Sequence, residues 1–333
     1  MTLTRRQFFG WSLGSAALAA SAYLLQREFT RDPWNERVFI ARVPGYRSDL
    51  TPTMLAGLKE SGVGSPEIAG KRVLLKPNLV ETSPGAVHIN THPSVVRAAA
   101  QAFLELGARE VIVGEGPGHN RDTLLLLEES GLADVLLEDR IPFVDLNIDP
   151  GYTTPNLGRN SHLKSLTFPT TLQKVDWIVS LAKMKTHHWV GVTLSMKNLF
   201  GLMPGSYHGW PKNLLHEAGI TECILDITAT SKPAFAIVDG IIGMEGDGPI
   251  MGTPKHAGVL VMGRNLAAVD ATCARIMGVN PYRLKYLAKA DGRLGPIRDA
   301  DIIQTGETVQ SVRTTFQLLA KIPAHAHLRV NES

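Results

Sequence analysis

Short apolar runs, each closed by a polar or glycine-containing turn, alternate along most of the chain with stretches of helical periodicity. Residues 38–43 and 72–77 predict two strands, the second stopped by Pro77, with a helix at 51–60 between them. From 92 to 106, apolar side chains recur at Val95, Ala99, Ala102, Phe103 and Leu106, the spacing of an amphipathic helix. Residues 110–114 predict a third strand and 121–131 another helix. Further strands are expected at 143–146, 177–181, 235–239 and 259–262, and further helices at 216–228, 267–277 and 281–290.

These strands are almost wholly apolar rather than alternating, the pattern of a sheet covered by helices on both faces. The fold class expected is α/β, a doubly wound, mostly parallel sheet arranged as one or two lobes. Residues 147–172, rich in Pro, Asn, Thr and Gly, predict an excursion or lobe boundary. In such sheets ligands bind beyond the carboxyl ends of the strands. Polar motifs follow four of them: Lys76-Pro77-Asn78, Gly114-Glu115-Gly116, the run from Lys183 to His187, and Asp239-Gly240. One convergent site is expected.

Ahead of this region stands a different segment. Thr4-Arg5-Arg6-Gln7-Phe8-Phe9 precedes an uncharged, mildly apolar run from Trp11 to Leu25, and Ala20-Ser21-Ala22 offers a small-residue cleavage site. Paired arginines before a short apolar stretch are the address read by the twin-arginine translocase, which exports folded proteins. Residues 1–22 are therefore read as an export signal, an uncleaved membrane anchor being the alternative, and the mature protein is placed in the periplasm or another extracytoplasmic compartment. The family domain is expected at 37–307 and a C-terminal extension at 308–333. Cleavage after Ala22 would remove two of the 34 basic side chains and no acid, leaving 32 against 31 acidic ones. No basic tract survives, which argues against a nucleic-acid partner. Only Cys223 and Cys273 are present, too few for a cysteine-ligated iron–sulfur cluster, and two separate buried thiols are expected of them.

The densest chemistry lies between Lys183 and Gly201, where lysines and histidines stand among apolar residues. An ammonium in a partly dry pocket neutralises a carboxylate or phosphate, and its pKa falls towards a catalytic range. His187, Lys197 and Lys185 are the candidate catalytic residues. Lys76, Asn78, Thr91, His92 and Asn198 are candidates for binding substrate, Thr91 and His92 because a helix start favours anions. His187, His188, Asp239 and Glu245 are candidate ligands for a divalent metal or a metal-containing cofactor. Gly114-Glu115-Gly116-Pro117-Gly118 lacks the Walker Gly-Lys-Ser/Thr, so nucleotide binding has little support.

Six motifs in order carry a resemblance. Lys76-Pro77-Asn78, Thr91-His92-Pro93, Gly114-Glu115-Gly116, Lys185-Thr186-His187 with Lys197-Asn198-Leu199-Phe200-Gly201, Asp239-Gly240 with Glu245-Gly246 and Gly248-Pro249, and Val269-Asp270-Ala271 with Met277-Gly278 resemble the family called domain of unknown function 362. The likeness runs from about residue 37 to 307. Members share no established reaction, so it implies architecture and site positions. Some carry an added iron–sulfur segment, whose cysteines this chain lacks. A local likeness over about thirty residues, from His187 through Lys197 to Pro204-Gly205 and His208 or His216, is similar to nickel-pincer lactate racemases.

The reading that follows is an exported enzyme acting on a small anionic substrate, with racemisation, epimerisation or hydration next to a carboxylate as the class of reaction. A non-catalytic anion-binding protein, or a maturation factor for an exported metalloprotein, is the alternative. Exchange of Arg5 and Arg6 for lysine should stop accumulation outside the cytoplasm while the folded domain persists inside, because the receptor reads the guanidinium pair. Fractionation of cells expressing the double variant checks this, and undiminished export would refute the signal.

Overall fold

The computed structural model describes residues 34–118 and 122–329, so the proposed export signal, with Arg5 and Arg6, lies outside the described residues. A unit that begins at Asn35 carries all that follows. Its strands are β1 (Glu36–Arg42), β2 (Arg72–Lys76), β3 (Glu110–Glu115), β4 (Phe143–Asp145), β5 (Gly151–Pro155), β6 (Ser165–Pro169), β7 (Trp177–His187), β8 (Gly191–Thr193), β9 (Phe235–Glu245), β10 (Thr253–Gly263) and β11 (Ile302–Gly306). The main sheet runs β11-β1-β10-β9-β7-β2-β3-β4, with β8 paired to β7, and β5-β6 form a separate hairpin. Along the main path β10 runs antiparallel to its neighbours, and every other pairing is parallel.

Successive strand residues feed opposite faces, and both faces are covered. Val73 and Leu75, Val179 and Leu181, Phe235 and Ile237 join a core under the helices Thr51–Glu60 and Pro93–Glu105. Leu74, Ile178, Ala236 and Val238 join the other, under Ile220–Ser231 and Leu266–Ile276. This is why the strands read as continuous apolar runs. Cys223 and Cys273 are unpaired and buried in the second core. Among the described residues no helix is long and apolar enough to cross a membrane.

Three strands are longer than their apolar runs. β7, β9 and β10 each span eleven residues, so the Lys183–His187 and Asp239-Gly240 motifs lie within strands and not after them. Pairing explains this: Lys183 lies opposite Asp239 in the β7–β9 register, and its Nζ donates to Asp239 Oδ2 at 2.8 Å with both side chains fully buried. A charged residue ends a strand only when it needs water, and here each charge supplies the other's partner. The expected helix at 216–228 is broken at Gly219, whose φ of 101° separates Asn213–Glu217 from Ile220–Ser231. The 147–172 excursion is the β5–β6 hairpin, tied down by Asp226, which accepts from Asn156, Asn160 and Ser161.

Chain order on the sheet locates the site. From β2 the chain steps outward through β3 to β4, then returns to lay β7 against the opposite edge of β2. The winding direction therefore reverses between β2 and β7, and a crevice opens there beyond the carboxyl ends. β2 ends at Lys76, opposite Ser180, while β7 continues to His187 and forms one wall. Lys183→Met would leave Asp239 buried without its counter-charge, at an expected cost of about 3–5 kcal/mol. Urea denaturation checks this, and a midpoint equal to that of the parent would show the pair to be dispensable.

Candidate functional site

A cleft of about 300 Å³ occupies the crevice, lined by residues from the ends of β2, β3 and β7 and from the segment 193–216. At its floor Lys76 Nζ donates to Glu115 Oε2 (2.7 Å), the Pro77 carbonyl (2.8 Å) and Asn198 Oδ1 (2.9 Å). Asn198 Nδ2 returns hydrogen bonds to Lys76 O and Ser180 Oγ. Glu115 also accepts from the amides of Leu79 and Gly116. This network joins β2, β3 and the short helix Ser195–Asn198. The helix is anchored from behind by Asp270, which accepts from the Ser195 and Met196 amides and the Ser195 hydroxyl.

Three more lysines line the same cleft. Lys185, fully buried, donates to the carbonyls of Ile89 (2.9 Å) and Pro249 (3.2 Å) and among the described residues pairs with no carboxylate. Lys212 holds a left-handed φ of 69° and donates to Asn147 Oδ1 and Met203 O. Lys197 lies with Nζ 3.9 Å from the centre of the Phe200 ring, and among the described residues it makes no hydrogen bond or ion pair. Burial lowers the pKa of all four, and for Lys197 and Lys212 it brings the value to about 7, with the Lys76 charge pushing the same way.

Histidines and aromatic rings form the opposite side. His187 is buried, accepts the Trp189 amide at Nδ1 (3.0 Å), and is held well below its usual pKa by burial and then by the Lys197 charge. It is a neutral ring with its proton on Nε2. His188 and Trp189 meet edge to face at 4.6 Å, and Trp189 meets His216 at 5.1 Å. Trp189 is 57% exposed at the rim. Two buried polar atoms on the lining, Asn78 Oδ1 and Thr193 Oγ1, have no hydrogen-bond partner among the described residues.

The structure thus brings together Lys76, Asn78, Lys185, His187, His188, Lys197 and Asn198 from the residues expected in the site. Four others lie elsewhere. Thr91 pins the chain after β2 by accepting the Asn78 amide and donating to Leu181 O. His92 stacks flat on Tyr46 at 3.7 Å, and its own ring caps the Ser94 amide, which leaves that helix start occupied. Asp239 accepts from Lys183, the Tyr46 hydroxyl and the amides of His92 and Ile241, so no lone pair remains for a cation. Glu245 pairs with Lys255 and accepts the Gln317 amide. The proposed ligand set of His187, His188, Asp239 and Glu245 therefore does not converge. Among the described residues no three His, Cys, Asp or Glu side chains gather as a metal site.

Glu115, Lys212, Trp189 and His216 also line the cleft without having been singled out as site residues. Glu115 had a signal, an acid closing an apolar strand at its carboxyl end. Lys212 had none, since only the left-handed turn after Pro211 aims it inward. His208, by contrast, turns its Nδ1 to the Pro204 carbonyl and does not line the cleft.

Gly201 lies against the floor network. A Cβ there would stand 2.5 Å from Lys76 Nζ and press on Glu115 Oε1. Gly201→Ala should cost about 1–3 kcal/mol as an overpacking change, read as a lowered thermal midpoint. An unchanged midpoint would mean that the Lys76–Glu115 pair gives way freely.

Three comparisons with known proteins bear on the chain. It is 30% identical over 265 residues to a thylakoid-associated protein of Synechocystis sp., covering 78% of this chain and 79% of that one. A crystal structure from Thermotoga maritima aligns with 67% of this chain and 57% of its own at 16% identity, with a TM-score of 0.38, too low to carry argument. Residues 73–275, which span β2 to the helix Leu266–Ile276 and hence most of the cleft, match the model of the family described as domain of unknown function (DUF362), and the chain belongs to that family.

Proposed function

We propose that this is an exported protein whose cleft binds a small organic anion and moves a proton on it. The observation that carries the reading is the charge count on the lining: among the described residues four lysines face one carboxylate, Glu115, and that carboxylate is already engaged by Lys76. Three amines in a largely dry cleft repel one another until an anion joins them. A shift of the Lys197 pKa from 10.5 to about 7 disfavours its ammonium by on the order of 5 kcal/mol, part of which a bound carboxylate would restore. Asn78 Oδ1 and Thr193 Oγ1 offer hydrogen-bonding positions for a neighbouring hydroxyl.

Lys197 and His187 are suited to the proton. Lys197 titrates near neutrality, as a general acid–base group should, and His187 enters as the neutral imidazole. Racemisation, epimerisation or hydration next to the carboxylate needs this equipment, a positive clamp with a movable proton beside it. The thylakoid association of the Synechocystis relative supports work at or beyond a membrane, as the paired-arginine segment does.

The sign of the pH dependence follows from the lysines. Above pH 7 the unliganded Lys197 and Lys212 lose their protons, whereas the anion complex needs them, so binding takes protons up. Affinity for lactate should be highest below pH 7 and fall by about tenfold per pH unit above it for each proton taken up. Calorimetry in buffers of differing ionisation enthalpy reads that uptake. Lys197→Met should weaken binding while leaving the thermal midpoint nearly unchanged. Binding of lactate that is tight, independent of pH from 6 to 9, and indifferent to Lys197→Met would refute the reading.

A further inference from the structure

The four cleft lysines are not equivalent. Lys76 donates to three acceptors, Lys185 to two carbonyls and Lys212 to a side-chain amide oxygen and a carbonyl. Their nitrogens are held, and each side chain is no more than 2% exposed. Lys197 differs on every count: it is partly exposed to the cleft, its nitrogen faces the Phe200 ring, and among the described residues no acceptor holds it. An amine left unheld on a cleft lining, among other lysines, is the arrangement that turns lysine into a nucleophile.

We propose that Lys197 forms a reversible imine with the carbonyl carbon of a small 2-oxo carboxylate, whose carboxylate the neighbouring lysines hold. This rests on the anion-binding reading of the cleft and specifies the ligand. The Lys197 nitrogen adds its lone pair to the carbonyl carbon, forming the C–N bond, and the carbonyl oxygen takes up a proton. The carbinolamine then loses that oxygen as water, both nitrogen-bound hydrogens having been given up, so amine and ketone become imine and one water with no oxidant or reductant. His187, neutral and on the same cleft, is placed to hand the proton to the departing oxygen and receive one from nitrogen. Once protonated on nitrogen, the imine draws electrons from a C–H on the far side of the former carbonyl carbon, so a proton can be exchanged there and not on the carbon that bears the carboxylate.

The groups facing Lys197 set the conditions. Burial holds its charge down first, the Lys76 charge pushes the same way, and Glu115, engaged by Lys76, opposes them only in part; Lys185, Lys212, His187 and His216 line the same cleft. The amine is therefore present at neutral pH, where a solvent-exposed lysine is protonated.

The full chain is incubated with pyruvate and cyanoborohydride near neutral pH, and intact mass and peptide mapping follow. One reduced pyruvate adduct on Lys197 is expected, suppressed by lactate, which offers the same carboxylate without the ketone. Lys197→Arg should lower the yield by on the order of tenfold or more. Mapping of the unsubstituted protein locates the adduct even if that variant folds poorly. Adducts scattered over surface lysines at equal yield, or none at Lys197 while pyruvate binds by calorimetry, would overturn the imine and leave the anion site standing. Failure of both lactate and pyruvate to bind would overturn the anion reading itself, and the imine with it.

Discussion

The ammonium of Lys76 is the joint on which the cleft is built. It closes β2, reaches Glu115 at the end of β3, and takes hold of Asn198 on the helix Ser195–Asn198, so three separate chain segments meet at one nitrogen. A buried pair of this kind is weak evidence for stability, since desolvation offsets much of the attraction. Its value is geometric. Once Lys76 and Glu115 are buried they must face each other, and β2, β3 and the 195–201 segment are brought into one register. Gly201 is part of the same constraint, because only a residue without a Cβ lets that backbone pass over the pair.

Two lysine–carboxylate systems sit a few residues apart on this framework and differ in how completely they are satisfied. Around Asp239, four donors surround one carboxylate and the Lys183 ammonium reaches both Asp239 and Tyr46, so the group is closed. In the cleft the count runs the other way, with amines in excess of carboxylates. Both are buried in the same sheet end, so burial alone does not separate a structural lysine from a functional one. What separates them is whether the protein itself supplies the counter-charge.

The architecture was legible because seven of the eleven described strands advertise themselves as apolar runs, while the short or polar β5, β6, β8 and β11 do not. The helix Thr51–Glu60 coincides with its pattern, and β2 and β3 fall within one residue of theirs. What escaped was the continuation of β7, β9 and β10 into polar sequence. Lys183 and Lys185 read as loop residues and Asp239 as the end of its strand because a charge normally seeks water, and a linear sequence does not show that Lys183 has Asp239 beside it. The same blindness placed Thr91, His92, Asp239 and Glu245 in the site. Each has the right chemistry, and each is consumed by a partner distant in sequence or, for His92, by its own helix cap. Lys76, Lys185, His187 and Lys197 were readable as a group because the reversal of strand order forces residues at those strand ends into one crevice.

The support of each cleft lysine also bears on why Lys197 is the one left unheld. Lys76 and Lys185 belong to β2 and β7, where side-chain direction is fixed by the pleat and neighbouring carbonyls lie within reach, so their nitrogens find acceptors. Lys197 stands on a single turn of helix, Ser195–Asn198, whose start is clamped by Asp270 on the far side and whose end is clamped through Asn198 to Lys76. The turn is rigid at both ends, and Lys197 projects from it towards Phe200 and the cleft. A nucleophile or acid–base group has to be positioned without being consumed by its support. Placing the lysine on a doubly anchored turn between two strand ends satisfies both requirements, since the backbone is held by Asp270 and Lys76 while the amine itself is left for a ligand.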